Sequence, residues 1–412
     1  MAFLLIVSSI ALALVMYPCL QITQNYFQAR KLGLPILITP FAALNPFWAL
    51  TQHHFAPIFT FLSSHIPPPL CHLFDFIHYS TMNWNFSGRY ATHKLPFEYY
   101  APAFVIVSPG ETQLIISDPG AADDILARVR KDFLKSRAMY GPLEIFGPNV
   151  DSVNGEDWAR HRRITAPPFN ERNSGLVWKE SLRQSTDMLK SWTGKGAKGV
   201  DDTPSSTLRL ALHVLTGAGF GKWYDFGASG VQQVSPGHTM SYRDALKVVL
   251  GSLYATIITV ALGMNLPSFM TPRGMRDTRT AIIEFKKYMV EMIEEEKATI
   301  ESREGEKDNL MSALLRSSAA ESDGKGRNAL SQEEILGNLF IYSFAGHDTT
   351  ANTLVYAIMM LAADRKWQDW IGEEIDSVIG GRDIVDDWEY ESAFPKLKRC
   401  LALQVSSLVL RQ

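Results

Sequence analysis

The residues whose types best suit chemistry form a short group, Ala345 to Thr350, in the middle of an otherwise apolar stretch. Within it, Asp348 supplies an acid and Thr349 a hydroxyl where packing alone would favour leucine. Burying a polar group without a partner costs on the order of 1–3 kcal/mol, so these side chains are expected to have a use. Two compatible interpretations remain. Thr349 bonds back to the carbonyl of Ala345, and a widened turn at Gly346 makes a groove for a small ligand.

This group, Ala345-Gly346-His347-Asp348-Thr349-Thr350, resembles the central oxygen-binding helix of the cytochrome P450 heme-thiolate monooxygenases. In that family an acid and an alcohol deliver the protons with which the O–O bond is cleaved heterolytically. The resemblance assigns these catalytic roles to Asp348 and Thr349. It also implies that Ala345 and Gly346 leave room over a heme.

A second candidate stretch, Gly155 to Thr165, carries Trp158 and Arg162 four residues apart, on one face of a helix. One interpretation is a solvated basic helix. The other follows from its resemblance to the family's helix that binds the heme propionates, in which tryptophan and arginine bond the porphyrin carboxylates. Arginine suits that role because its planar fork binds carboxylate bidentately. The basic run Arg160 to Arg163 is also expected to attract an acidic electron-donor protein by electrostatic steering.

The element that must position the first group is a long helix from Ser331 to Ala363. Ser331 followed by Glu334 predicts a capping box at its start. Apolar residues on nearly every face predict a buried helix, roughly 50 Å long at about 1.5 Å per residue.

The remaining pattern predicts a mainly α fold with a small β-sheet. Phe104 to Val107 and Gln113 to Ile116 are two β-branched runs separated by Pro109-Gly110, which indicates a hairpin. Asp118 and Pro119 are a typical helix start for the segment up to Phe133. Further helices are predicted at 176–192, 205–219, 241–262 and 276–301, with a short helical piece at 310–315.

Composition excludes several classes of protein. The chain has 412 residues, 46% of them hydrophobic, and a formal net charge of -3, which gives no general field for nucleic acid. Its 3 cysteines, Cys19, Cys71 and Cys400, are too few and too scattered for a disulfide framework or a zinc site. No metal-ligating residue is assigned, and a reducing compartment fits best.

The N-terminus predicts a membrane anchor within residues 1–20. Ala2 to Tyr17 is apolar, with no clear basic start or cleavage site, and Arg30 and Lys31 follow it. Its length is near the lower end of the ~17–25 residues that a span needs, so a signal peptide is the alternative. The charges predict a domain on the cytosolic side of the endoplasmic reticulum membrane.

Residues 21–98 form a proline-rich, aromatic segment, which is either a second membrane-dipping element or a linker packed on the domain. By the resemblance, residues 99–403 form a P450-like domain truncated before its heme-ligand region, and 404–412 form a tail outside the family pattern. The family's Glu-x-x-Arg pair would fall near Ser406 and Val409. A reading frame that runs through an exon end after Leu403 would explain this tail.

The family's iron-ligating loop, Phe-x-x-Gly-x-Arg-x-Cys-x-Gly, does not occur in residues 1–412. Cys400 lacks the flanking glycines that would let backbone amides stabilise a thiolate, and a core cysteine on a helix is the preferred interpretation.

By the resemblance, the expected function is a monooxygenase that inserts one oxygen atom from O₂ into a lipophilic substrate, with heme as cofactor. Electrons would come from NADPH through NADPH-cytochrome P450 reductase. The chain as written is expected to be an inactive fragment, because the axial cysteine is missing from it. The alternative is a noncatalytic membrane-anchored protein that binds an apolar ligand or a partner. A generic multi-span membrane protein is disfavoured, because charges interrupt the later apolar runs.

Overall fold

The computed structural model describes most of the chain from residue 102 onwards and the segment before residue 40. The described residues are 2–39, 61, 102–116, 118–128, 132–227, 234–251, 253–264, 266–267, 270–302, 309–321, 328–380 and 388–410. Most of the proline-rich segment therefore lies outside the described residues. Contacts divide the chain into two compact units, Met1–Phe133 together with Arg411–Gln412, and Leu134–Leu410.

The first unit is built on a small sheet. Its elements are α1 (Ala2–Ala29), β1 (Ile36–Ile38), β2 (Ala103–Val107), β3 (Thr112–Ile116) and α2 (Pro119–Arg128). β2 and β3 pair antiparallel with Val105 opposite Leu114, which confirms the predicted hairpin. β1 pairs parallel to β2, with Ile36 opposite Val105, and was not predicted because three residues carry too short a pattern.

Alternation along β2 explains how this sheet is covered. Val105 and Val107 point to one face and pack with Ala29 and Tyr26 of α1. Phe104 and Ile106 point to the other face, with Leu37 and Ile115. The amide of Asn25 also donates to the backbone oxygen of Ser108 at 2.8 Å, which ties α1 to the end of β2.

Among the described residues, the second unit is entirely helical. Its elements are α3 (Arg137–Tyr140), α4 (Gly155–Thr165), α5 (Glu171–Thr193), α6 (Thr203–Phe220), α7 (Tyr242–Gly251), α8 (Leu253–Ile258), α9 (Arg273–Ser302), α10 (Leu310–Ala320), α11 (Gln332–Ala363), α12 (Arg365–Ile379), α13 (Tyr390–Ala393) and α14 (Lys398–Leu410). Side-chain caps begin several of them: Asn170 before α5, Asp202 before α6 and Asn309 before α10 each accept a backbone N–H. The helices predicted at 176–192, 205–219, 241–262, 276–301 and 310–315 are confirmed with longer ends, except for one.

That exception is the helix predicted over 241–262. The structure breaks it after Gly251 into α7 and α8, and a π-helical turn, Thr259–Gly263, follows. Glycine is a poor helix former, and the hydroxyl of Thr256 bonds the carbonyl of Val249 across the break at 3.0 Å. A continuous apolar run therefore did not make a continuous helix.

The long central helix α11 begins as predicted. Ser331 accepts from the amide of Glu334 while the Glu334 carboxylate accepts from the amide of Ser331, which completes a capping box. Residues 335–341 are all buried, and Leu339 and Phe340 are 0% exposed. Beyond Ala345 the prediction of burial on every face is wrong, since Met359 is 59% exposed. The main core cluster surrounds only the first half of α11.

Among the described residues, none of the helices alone has the length and apolarity of a membrane span. One pair of helical segments, Tyr242–Gly251 and Ala255–Leu262, has that length and apolarity only when taken together, and the pair is bent by 96°.

Candidate functional site

The polar group in the middle of α11 presents different residues to different surroundings. Ala345, Asp348 and Thr349 are exposed, whereas His347 is buried at 2% exposure. Ala345 and Thr349 are four residues apart and so lie one above the other on the same face. Of the four site residues predicted on α11, Ala345, Asp348 and Thr349 therefore lie on one exposed face, and Gly346 does not.

The hydroxyl of Thr349 donates to the carbonyl oxygen of Ala345 at 2.5 Å, as one of the two interpretations predicts. Thr353 repeats this bond one turn later, to the carbonyl oxygen of Thr349 at 2.8 Å. α11 stays α-helical through Gly346, so the widened turn that the sequence suggested is absent there.

Gly346 faces a different side from Ala345 and Thr349. A Cβ atom at this position would meet the Cδ1 atom of Leu215 on α6 at 3.6 Å. Gly346 and Thr350 line a mostly apolar cavity of about 430 Å³ between α5, α6 and α11. Of the two residues expected to leave room over a heme, only Ala345 is on the open face.

The second candidate pair lies on α4. Trp158 is half-buried, and Arg162, one turn later, is exposed. In the part of the chain that the structure describes, Arg162 makes no ion pair, but it is close enough to lower the pKa of the Tyr342 hydroxyl. Burial has the larger effect and raises the pKa of Tyr342 well above its usual value.

Tyr342 connects the two candidate stretches. Its hydroxyl donates to the backbone oxygen of Thr165, the last residue of α4, at 2.9 Å. Tyr342 precedes Ala345 by three residues and Gly346 by four on α11. The structure therefore places Arg162 near the same stretch of α11 as the exposed face of Ala345 and Thr349.

The rest of the basic run on α4 differs from the sequence interpretation. Arg160 binds the Glu334 carboxylate with both terminal nitrogens, at 3.1 and 2.5 Å, and Arg163 pairs with Glu321 at 3.0 Å. His161 is 0% exposed. Because the other charges of this run are paired or buried, Arg162 is the basic side chain of the run that remains to attract an acidic partner.

A buried polar network that the sequence analysis missed joins α4 to α11. The Nε2 atom of His161 donates to Glu334 Oε1 at 3.2 Å, and its Nδ1 atom accepts from Asn338 Nδ2 at 3.1 Å. Asn338 Oδ1 in turn accepts from the amide of Val150 at 2.9 Å. In the sequence, the one sign of this network was Glu334 itself, and the capping box already accounted for that residue.

The electrostatics of this network follow from its partners. Burial alone would raise the pKa of Glu334, but hydrogen bonds from Arg160, the Ser331 amide and His161 outweigh it and lower the pKa to about 2. Burial lowers the pKa of His161 more than Glu334 raises it. The neutral tautomer with the proton on Nε2 fits both of its contacts.

The residues present fit a heme in part. An exposed, unpaired Arg162 beside a half-buried Trp158 suits the carboxylates of a porphyrin. Burial and the neighbouring Glu374 raise the pKa of the Cys400 thiol, which is unfavourable for a thiolate ligand. Cys19 is exposed on α1, and Cys71 lies outside the described residues. No group of three or more metal-ligating side chains occurs in the described part of the chain.

The end of the second unit is held by Glu374 of α12. Its carboxylate accepts from the backbone amides of Arg399 and Cys400 at the start of α14, at 2.8 and 3.2 Å. Arg399 stacks over Trp370, 5.2 Å from the ring centroid. α14 runs on to Leu410, so Ser406 lies on a helix where the resemblance would place a glutamate.

Comparison with known proteins gives one family. The sequence model of the cytochrome P450 family matches residues 67–401. Cytochrome P450 monooxygenase ORF6 of Penicillium roqueforti is 32% identical over 385 residues, covering 90% of this chain and 63% of the relative. Cytochrome P450 monooxygenase 124 of Postia placenta is 36% identical over 309 residues, covering 74% and 56%. The chain thus spans roughly 56 to 63% of the length of these curated relatives.

A solved structure of a zebrafish cytochrome P450 with progesterone shares the fold. It superposes with a TM-score of 0.56 at 16% sequence identity, over 76% of this chain and 68% of that chain. The mainly helical architecture with a small sheet therefore matches the P450 fold.

Proposed function

The chain belongs to the cytochrome P450 family, and on that premise we propose that it serves as a heme-thiolate monooxygenase acting on a lipophilic organic substrate. One observation carries the proposal. Arg162 of α4 lies near Tyr342 of α11, and the following turns of α11 expose Ala345 and Thr349. This juxtaposition provides a carboxylate-binding cation and a proton-carrying face beside each other.

The residues on α4 are the proposed heme-binding group. Arg162 offers a planar fork to a porphyrin carboxylate, and Trp158 lies one turn earlier on the same face of α4. A bound heme supplies the activation of O₂, with electrons from NADPH through a reductase partner. Tyr342 and Thr165 hold the end of α4 against α11 so that these side chains keep their positions.

The residues on α11 are the proposed proton path. Asp348 is exposed to solvent, and Thr349 lies next to it in the chain. Because the Thr349 hydroxyl donates to the Ala345 carbonyl, its lone pairs remain available to accept a hydrogen bond from a donor outside the helix. General acid and base groups contribute roughly 10²–10⁴-fold to rates, so both residues are expected to affect turnover strongly.

We further propose that residues 1–412 alone do not ligate heme iron. The raised pKa of Cys400 and its place in an apolar cluster with Leu403 and Ile371 support this. The chain is expressed, reconstituted with heme, reduced and treated with carbon monoxide. A thiolate-type absorption band for the chain alone would contradict this part of the proposal.

The function itself is tested with a fusion. The part of the Penicillium roqueforti relative that lies beyond its match to this chain is appended, and the fusion is assayed for the thiolate-type band and for NADPH-dependent oxidation of lipophilic substrates. We expect both, and a loss of about 10²-fold in product formed for Thr349→Ala. Thr353→Ala is the matched control, because it removes the same kind of back-bond one turn later. A fusion that binds heme but oxidises nothing, or equal losses in the two variants, would contradict the proposal.

We also propose that α1 holds the protein at the endoplasmic reticulum membrane, with the rest of the chain in the cytosol. The apolar residues Ala2 to Tyr17, followed by Arg30 and Lys31, support it. Deleting residues 2–20 is expected to release the protein from microsomes at alkaline pH. Retention of the deleted form would exclude α1 as the anchor.

A second candidate function is the binding of an apolar ligand without catalysis. The cavity of about 430 Å³ between α5, α6 and α11 favours it, since its volume lies in the range of small-molecule sites. Leu215→Trp should fill the cavity and abolish binding of an apolar fluorescent probe. Leu401→Trp is the control, because Leu401 is 59% exposed. Probe binding that survives Leu215→Trp would rule this cavity out.

A further inference from the structure

A separate basic cavity lies on the opposite side of α11 from the exposed face of Thr349. It has a volume of about 230 Å³ and is enclosed by α6, α7 and α11. Its charged lining consists of Arg209, Arg243 and Lys247, with one carboxylate, Asp244. This size suits a small ion better than a drug-sized molecule.

Two of the three cations that line the cavity have no carboxylate partner among the described residues. Arg209 bonds the Phe226 carbonyl, at 3.3 Å, and lies over the Phe226 ring. Lys247 is exposed at the mouth and has no ion pair within the described part of the chain. The carboxylate of the lining, Asp244, accepts from Ser241 Oγ at 2.7 Å and is 3.9 Å from Arg243 Nε. The lining therefore keeps the positive charges of Arg209 and Lys247.

Two buried histidines line the inner end of this cavity. His213 on α6 is 0% exposed and His347 on α11 is 2% exposed. Neither ring nitrogen of His347 meets a hydrogen-bond partner among the described residues, although its Nδ1 lies 3.6 Å from Asp348 Oδ1 and the Leu208 carbonyl is near. The Nε2 atom of His213 is likewise without a partner there. Buried polar atoms that have no hydrogen-bond partner in the described protein indicate a ligand that would supply one.

The tautomer of His213 follows from its neighbour Gln184. The Gln184 amide nitrogen donates to Glu180 Oε1 at 2.8 Å and to the Tyr224 carbonyl at 2.7 Å, so its oxygen is the atom that faces His213 Nδ1 at 3.1 Å. His213 must therefore carry its proton on Nδ1, and Nε2 presents a lone pair. Burial and then the charges of Arg243, Arg209 and Arg183 lower the pKa of His213 to about 4, against a smaller opposing effect of Asp225. The ring is neutral at ordinary pH.

A ligand for this cavity needs two properties at once. Its negative charge must match Arg209 and Lys247, and it must carry a proton for the lone pair on His213. A hydrogen phosphate group has both, because it combines charged oxygens with a P–O–H group. Sulfate has the charge but no proton at neutral pH. We propose that this cavity binds a hydrogen phosphate group, with Arg209 and Lys247 on its charged oxygens and His213 Nε2 accepting from its hydroxyl.

The test uses the full chain and titration calorimetry at about pH 6, with inorganic phosphate, glycerol phosphate and sulfate at equal ionic strength. A phosphate ester has a second pKa of about 6, so about half of its molecules carry the P–O–H proton at that pH. We expect saturable binding of one phosphate per chain. Lys247→Ala and Arg209→Gln should each weaken it about tenfold, since each removes a charge-assisted contact. Lys247 is exposed, so its replacement tests the site without disturbing the core. Arg365→Gln is the matched control, because Arg365 is an exposed arginine on α12, outside the cavity.

Sulfate should bind about tenfold more weakly than phosphate, because its oxygens would meet the lone pair of His213. Tighter binding of inorganic phosphate would assign the free ion as the ligand, and tighter binding of glycerol phosphate would assign a phosphate ester; either supports the site. No saturable binding, an affinity in Lys247→Ala and Arg209→Gln equal to that of the wild type, or a loss in Arg365→Gln as large as in those two variants would overturn it. Sulfate that binds as tightly as phosphate would overturn the role of His213. None of these measurements depends on heme or turnover, so they are independent of the proposed monooxygenase activity.

Discussion

Neighbouring residues of α11 serve different sides of the helix because each step along it turns the side chain by about 100°. Thr349 is exposed with its hydroxyl on the Ala345 carbonyl, while His347, two residues earlier, is buried against α6. The short polar group is therefore divided between two sites. One is the proposed proton path, and the other is the inner wall of the basic cavity.

Close packing of backbone is also decided at single residues. A Cβ atom on Gly337 of α11 would lie 2.5 Å from the carbonyl oxygen of Pro148, and even nearer to that of Gly147. Real Cβ atoms do not approach backbone so closely, so the loop before α4 can pack on α11 only if residue 337 is glycine.

We predict that Gly337→Ala lowers the free energy of unfolding by about 1–3 kcal/mol, because the added methyl group pushes the loop away from α11. Gly372→Ala is the control: a Cβ there meets nothing within 4 Å, and alanine favours a helix by about 1 kcal/mol over glycine. Urea unfolding of the two variants should give changes of opposite sign. A neutral or stabilising Gly337→Ala would show that the loop does not lie against the helix.

At the scale of elements, the contact between α4 and α11 is the part of the fold on which the proposed site depends. Glu334 caps α11 and also accepts from Arg160 and His161 on α4, and Tyr342 reaches Thr165 two turns later. One carboxylate thus starts the long helix and fixes the helix that carries Arg162.

The pKa of Glu334 gives this contact a pH dependence. Its folded value of about 2 is below the ordinary value of 4.5, so its stabilisation is fully present above that ordinary value and is lost as pH falls towards about 2. The shift corresponds to about 3 kcal/mol, for a side chain that is 15% exposed.

We predict that the wild-type chain loses stability more steeply than Glu334→Gln between about pH 5 and about pH 3, because the amide cannot take up the proton. Glu333→Gln controls for the charge in the first turn of α11, since Glu333 is exposed beside it. Urea midpoints measured across this range provide the comparison. Parallel curves for wild type and Glu334→Gln would refute the linkage.

At the scale of the whole molecule, each unit has a core of its own. The main cluster draws all its buried members from residues 146–340, within the second unit. Phe340 lies at its centre, 0% exposed, with its ring 5.1 Å from that of Phe146. The first unit has separate small clusters on both faces of its sheet.

We predict that residues 134–412 expressed alone unfold cooperatively, because their core needs no side chain from the first unit. Phe340→Ala should cost about 3–5 kcal/mol, and the cost should be the same in this segment as in the full chain. Phe169→Ala, at 60% exposure, is the control and should cost much less. A segment that melts without cooperativity, or a cost that differs between the two contexts, would show that the second unit depends on the first.

The sequence by itself determined the elements whose signals are local. The capping box at Ser331 and Glu334, the β2–β3 hairpin and the spacing of Trp158 and Arg162 all depend on residues a few positions apart. Tertiary structure alone decided what those elements meet. The pairing of Arg160 with Glu334 and the neutral His213 arise from residues that are distant in sequence. A period along the chain specifies which face a side chain occupies, but only the folded molecule brings another segment to that face.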